Sequence, residues 1–244
     1  MRTQQISAED YLLNLDPRAM PRYLPREAAC YLGMPTSTIV SWFYGMPFGK
    51  GEKRGWFAPL LVPASDDLLS FYDVASAHIL LAMKQKGISQ EDLRAIVNGL
   101  RLDPRFDNRY PLLGRNFFLF GGNKVKLVIK QRGKRIQFSR SGGPQYGIKE
   151  VMDRFLSRLD YDKNKMPLRL RPLRSISETG RGFIVLDPRI AGGRPVVKGT
   201  GIVAEIIAKR NKSGESVKVL AEDYRISERA VQEAIKYYPA AKAA

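Results

Sequence analysis

The chain has 244 residues, 44% of them hydrophobic, which suits two small domains with packed cores and argues against global disorder. Lys and Arg number 41 against 24 Asp and Glu, a net charge of +17 that attracts polyanions: nucleic acid first, with an anionic membrane surface or an acidic protein partner as rivals. A single cysteine excludes an internal disulfide, a single histidine excludes the usual His/Cys zinc sites, and no apolar run approaches the roughly 18 residues that span a bilayer.

Residues 1–10 are polar with no secretory apolar segment, so the expected location is the cytoplasm. Asp16-Pro17 and Met20-Pro21 break any long helix before Tyr23. A short helix is expected over 26–32, with Ala28, Ala29 and Leu32 on one face, ended by Gly33. A second is expected over 36–44, because Ile39, Trp42 and Phe43 recur at helical spacing. Residues 49–55, GKGEKRG, read as a hairpin tip. Asp73 is the expected cap of a helix running to about Lys86, and Ser89 with Asp92 forms a capping box for another that carries Leu93, Ile96, Val97 and Leu100.

Short strands are expected over 116–120, 125–130 and 135–139, joined by turns at Gly121-Gly122 and Arg132-Gly133. Ile148, Val151, Met152, Phe155, Leu156 and Leu159 trace one face of an amphipathic helix, with Lys149, Arg154 and Arg158 on the other. The polar, proline-broken stretch 162–182 reads as a linker. The last domain opens with strands near 183–186 and 195–198. Helices follow over 203–212, 217–224 and 228–237, and a loose tail closes the chain over 239–244.

Two constellations carry function. In residues 27–42, EAACYLGMPTSTIVSW, small residues meet where two helices touch, a glycine turns the chain, and the second helix has an apolar face, which is what a helix-turn-helix needs. Its outward residues Thr36, Ser37, Val40 and Ser41 would enter the major groove, and Lys50, Lys53 and Arg54 of the hairpin would neutralise phosphates. In the last domain, Ser227 caps the final helix and leaves Arg229, Gln232 and Lys236 on its open side, side chains suited to base edges. That helical triplet suits DNA contact or dimerisation equally. Between the two, residues 124–174 hold fifteen Lys and Arg against four Asp and Glu, eleven of the seventeen net charges, suited to phosphates or to an acidic partner. Residues 193–200, GRPVVKGT, lack the Gly-Lys-Ser/Thr order of a P-loop. Cys30 and His78 sit in apolar helical surroundings and read as packed side chains; Trp42 and Trp56 read as packing residues of the core and the hairpin.

The first constellation resembles the MerR-like helix-turn-helix through Glu27, Ala28, Ala29, Leu32, Gly33, Ser37, Thr38 and Trp42, with Pro35 departing from the pattern. The second, FIVLDPRIAGGRPVVKGTGI followed by helices, resembles the DUF433 family through Asp187, Pro188, Ile190, Gly193, Pro195, Val196, Gly199, Thr200 and Ile202; Gly201 stands where that family has Arg. With the stretch around Phe71-Tyr72-Asp73, the likeness extends to antitoxins of the VapB45 type. The expected fold is α+β and mainly helical. A winged helix-turn-helix domain with a small antiparallel sheet covers 1–161, a linker 162–182, and a DUF433-like domain 183–244. The resemblance implies an antitoxin without catalytic residues, metal or cofactor. It would pair as a homodimer, bind operator DNA to repress its own promoter, and neutralise a PIN-like ribonuclease toxin. A stand-alone regulator, or a scaffold that dimerises through its last domain, are the alternatives.

Overall fold

The computed structural model describes residues 16–51, 54–85, 87–102, 104, 107–113, 117–120, 124–131, 134–141, 155–172 and 182–238, with the strands between 117 and 141 described as backbone. Helix α1 (Pro25–Leu32) starts on proline, whose missing N–H costs nothing in a first turn, and the Glu27 carboxylate accepts from the Leu24 N–H at 2.9 Å. Gly33 ends it in the left-handed region at φ +72°, and Met34-Pro35 lead into α2 (Thr36–Phe43). Ala28, Ala29 and Leu32 face the core with Ile39, Trp42 and Phe43, all buried. A two-stranded antiparallel hairpin follows, β1 (Met46–Phe48) and β2 (Gly55–Phe57). Its base is fixed to α2, because the N–H groups of Leu60 and Leu61 both donate to the Trp42 carbonyl, at 2.8 and 2.9 Å.

Helix α3 (Phe71–Gln85) is buried from Phe71 to Met83 and forms the centre of the larger core. It begins earlier than expected. Ser70 is the cap, its Oγ accepting from the Asp73 N–H at 3.1 Å, while the Asp73 carboxylate accepts from the Ser70 N–H at 2.7 Å. Asp73 is thus the reciprocal partner of the cap and not the cap itself. Helix α4 (Gln90–Arg101) opens on Ser89, whose hydroxyl accepts from the Asp92 N–H, and buries Leu93, Ile96, Val97 and Leu100 as expected.

Strands β3 (Phe117–Phe120), β4 (Lys124–Gln131) and β5 (Lys134–Ser141) form an antiparallel sheet in that order, within two residues of the sequence expectation at each end. The turns at Gly121-Gly122 and Arg132-Gly133 lie outside the described residues. So does most of the helix expected from Ile148, with Lys149 and Arg154. Where the chain is described again, two expectations fail. Leu159, expected to end the amphipathic helix, is the first residue of β6 (Leu159–Tyr161). Arg158, expected on the polar face, is buried, its guanidinium donating to the Pro172 carbonyl at 2.8 Å.

The stretch read as a linker is also structured over its first part. Pro167–Leu170 forms β7, antiparallel to β6, and Leu170 exchanges both backbone hydrogen bonds with Leu186, at 3.0 and 2.8 Å. Several of its charges are paired: Asp162 accepts from Arg18 at 2.6 Å, and Arg171 donates to Asp160 of β6 at 2.8 Å.

Beyond it, β8 (Ile184–Val185) pairs antiparallel with β9 (Val196–Val197) around a one-turn 3₁₀ helix, Ala191–Gly193. Helices α5 (Ala204–Lys212), α6 (Val217–Tyr224) and α7 (Glu228–Tyr237) follow at the expected positions. Ile184, Val197, Ala204, Ile207, Leu220, Val231 and Ala234 make a second core. This unit docks on the first. Arg22 donates to the Pro188 carbonyl at 2.6 Å, the Tyr23 hydroxyl to the Gly193 carbonyl at 3.1 Å, and the Tyr237 hydroxyl to the Tyr31 carbonyl of α1 at 3.2 Å. The architecture is α+β, mainly helical, with small antiparallel sheets. Among the described residues no helix is long and apolar enough to cross a membrane.

Candidate nucleic-acid interface

Burying Ile39, Trp42 and Phe43 turns the opposite side of α2 outward. Ser37 is exposed there, and Thr36, Val40 and Ser41 are half-buried, one contiguous face as the helical spacing requires. No side chain caps the start of α2, and its first turn holds no acidic residue. Its first N–H groups and the positive end of its dipole are therefore open to an anion. Seven residues after the end of α2 the chain reaches Lys50, and the hairpin tip also presents Arg54, both exposed; Lys53 lies outside the described residues. From Thr36 to Arg54 the sequence holds three basic residues and one acidic one, Glu52.

The second candidate face differs. Ser227 caps α7, its Oγ accepting from the Ala230 N–H at 3.2 Å, and Arg229, Gln232 and Lys236 are exposed along that helix as expected. The charge around them is mixed. From Glu215 to Tyr237 the sequence holds five acidic and four basic residues, a net charge of −1. Glu222 and Glu228 stand exposed, and Asp223 joins Glu215 on Arg210. The buried Glu233 accepts from the N–H groups of Phe183 and Ile184, at 2.7 and 3.1 Å, which ties α7 to β8. With those three acids paired or buried, the remaining exposed charges of α6 and α7 are Lys218, Arg225, Arg229 and Lys236 against Glu222 and Glu228. The two faces therefore differ in capping, open on α2 and closed by Ser227 on α7, and not in sign of charge.

The DUF433-like signature residues do structural work around one carboxylate. Asp187 has no exposed surface and accepts from Arg169 at 2.7 Å and from Arg189 at 2.8 Å. Burial would raise its pKa, but hydrogen bonds from Arg189 and Arg169 outweigh that and hold it at about 2. Beside it a cavity of about 90 Å³ is lined by Arg169, Arg171, Lys198, Asp160, Asp187 and Thr200. Arg169 and Arg171 are already tied to these carboxylates and the Thr200 hydroxyl donates to the Val197 carbonyl at 2.8 Å, so the cavity reads as ion-pair packing between β7 and the signature loop. Gly193 serves the interdomain contact. At φ +80° a Cβ there would lie 2.1 Å from the Tyr23 hydroxyl oxygen.

Among the described residues no group of three His, Cys, Asp or Glu side chains could hold a metal ion. His78 is buried, donates Nε2–H to the Phe155 carbonyl at 3.1 Å and packs on that ring. Burial pushes its pKa down to about 4. The packed reading of His78 therefore holds, and Trp42 is likewise in the core. Trp56 lies against Gly45 at the base of the hairpin but outside the core, with 59% of its surface exposed. Hydrophobicity alone cannot separate a tryptophan that fills a core from one that stands on a strand pair away from it.

The chain is similar to known proteins in sequence and in fold. Residues 184–238 match the family DUF433, described as a protein of unknown function. Over 88% of this chain and 93% of the relative, the sequence is 23% identical to a Mycobacterium tuberculosis protein named as a candidate antitoxin, VapB45. The crystal structure of Rv2018 from Mycobacterium tuberculosis has a similar fold, with a TM-score of 0.59 at 17% identity over 89% of this chain and 98% of that one. The DUF433 likeness of the last quarter, and the likeness of nearly the whole chain to VapB45, are as read from the sequence.

Proposed function

We propose that this protein is a DNA-binding antitoxin without catalytic activity. It binds operator DNA through α1, α2 and the β1–β2 hairpin, acting as a MerR-like winged helix-turn-helix, and represses its own promoter. It neutralises a PIN-like ribonuclease toxin, and acts in the cytoplasm as a homodimer. The observation that carries the DNA reading is the neutral, uncapped outward face of α2 beside a hairpin tip that presents Lys50 and Arg54. A phosphate backbone is favoured by the uncapped start of α2 and by the cationic tip. The reader is then α2, with Thr36, Ser37, Val40 and Ser41 toward the groove and Lys50, Lys53 and Arg54 on phosphates.

The C-terminal unit pairs protomers in this reading, supported by Ile206 and Val219, which stand exposed on α5 and α6. Arg229, Gln232 and Lys236 then serve that contact more than DNA. The toxin partner follows from the likeness to a protein named as an antitoxin. The net charge of +11 in the sequence over 124–174 suits the acidic metal site of such a nuclease. Co-purification with the product of the adjacent reading frame tests the pair. A stable complex at micromolar concentration is expected, and its absence contradicts the antitoxin role.

A further inference from the structure

Four large apolar side chains stand out of one hairpin: Met46, Phe48, Trp56 and Phe57 are 39, 42, 59 and 45% exposed. The register sets Met46 opposite Phe57, Pro47 opposite Trp56 and Phe48 opposite Gly55. Met46, Phe48 and Phe57 therefore share one face, and Pro47 and Trp56 the other. A strand pair lying on a core has one apolar face and one polar face. Here both faces are apolar and both are exposed.

The rings are held as flat blades. Phe48 lies across Gly55, where a Cβ would come within 2.3 Å of its ring, and the Trp56 indole lies over Gly45, where a Cβ would come within 2.9 Å. Phe48 and Phe57 stack with centroids 4.2 Å apart and planes tilted by 32°. The glycines at these two positions let the rings lie flat on the strands. At the tip Lys50 and Arg54 are exposed cations. A blade of aromatic rings behind a cationic tip complements a polymer with anions outside and stacked rings inside, which is a nucleic acid.

We propose that the β1–β2 hairpin is a base-stacking wedge. Lys50 and Arg54 engage phosphates flanking the groove that receives α2. Trp56, with the Phe48–Phe57 pair behind it, stacks against bases of a distorted step reached from the minor groove. This rests on the DNA reading above but adds to it a contact with bases and a bend in the duplex.

The two tryptophans of the chain make the test internal, since Trp42 is buried and Trp56 exposed. Full-length protein carrying 5-fluorotryptophan is titrated with a duplex from the DNA upstream of its own reading frame. An alternating A·T duplex at low salt is the sequence-independent arm. The fluorine resonance of Trp56, assigned by its loss in Trp56→Phe, is expected to shift on binding while that of Trp42 stays. Trp56→Ala is expected to weaken binding by about tenfold with the fold intact. Duplex bound in a gel with the Trp56 resonance unmoved overturns the wedge and leaves the DNA reading standing. A Trp56 shift that follows protein concentration without DNA assigns the hairpin to a second copy and also overturns it. Failure to bind either duplex overturns both.

Discussion

Asp187 shows how far one residue of the signature can be understood from its surroundings. It is a carboxylate with no exposed surface, held by two arginines that are themselves nearly half exposed. Asp187→Asn removes the charge but keeps the shape. It is expected to cost about 2 kcal/mol, below the usual figure for a broken buried pair because solvent screens the arginines. The pKa of about 2 is below the ordinary value, so this stabilisation is present above pH 4 and is lost as pH falls toward 2; urea melts of wild type and variant should converge there. His78 works at higher pH. Its folded pKa of about 4 lies below the ordinary 6.5, so between those values the unfolded chain binds a proton that the folded chain does not. Stability is therefore expected to fall by on the order of 3 kcal/mol as pH drops from 7 to 4, and His78→Gln should remove most of that slope in urea titrations. The identity of His78 as a packed residue was legible from its apolar helical neighbours. Its bond to Phe155, 77 positions along the chain, was not, since no local pattern encodes it.

At the scale of elements, what was legible followed from short-range chemistry. Ser89 and Ser227 cap the helices they precede because a hydroxyl one residue before a helix can accept from its first turn. Ser227→Ala is expected to cost about 1 kcal/mol and to raise amide exchange in the first turn of α7 without changing DNA affinity, as α2 is the proposed reader. Hairpin β6–β7 was missed for the opposite reason. Its connection, 162–167, is polar and ends on proline, which reads as linker, and Leu159 fits a helical period, but Arg18 holds Asp162 and Leu170 pairs with Leu186. Partners that distant leave no periodic trace in the segment itself. The same holds for Arg158, whose charge predicts a solvated face until the Pro172 carbonyl, supplied by the fold, accepts from its guanidinium. The aromatic hairpin is a third case: its strand pairing was visible in the sequence, but its standing clear of the core was not.

The whole molecule adds the docking of its two halves. Tyr23 and Tyr237 reach across the junction in opposite directions, and Gly193 leaves room for the first of them. Gly193→Ala places a side chain both at positive φ and on the Tyr23 hydroxyl. A loss of about 2 kcal/mol is expected, with fast proteolysis between the halves as a second readout. Such docking fixes the orientation of α2 relative to the proposed pairing surface, which the proposed dimer would need on two half-sites. The most direct test is the affinity for a duplex of the DNA upstream of the protein's own reading frame, measured by fluorescence anisotropy across a range of salt. Log affinity should fall linearly with log salt, and the double substitution Lys50→Ala, Arg54→Ala should make the slope shallower by about two. The account is contradicted if the duplex is not bound, or if that substitution leaves binding unchanged while Arg229→Ala with Gln232→Ala abolishes it.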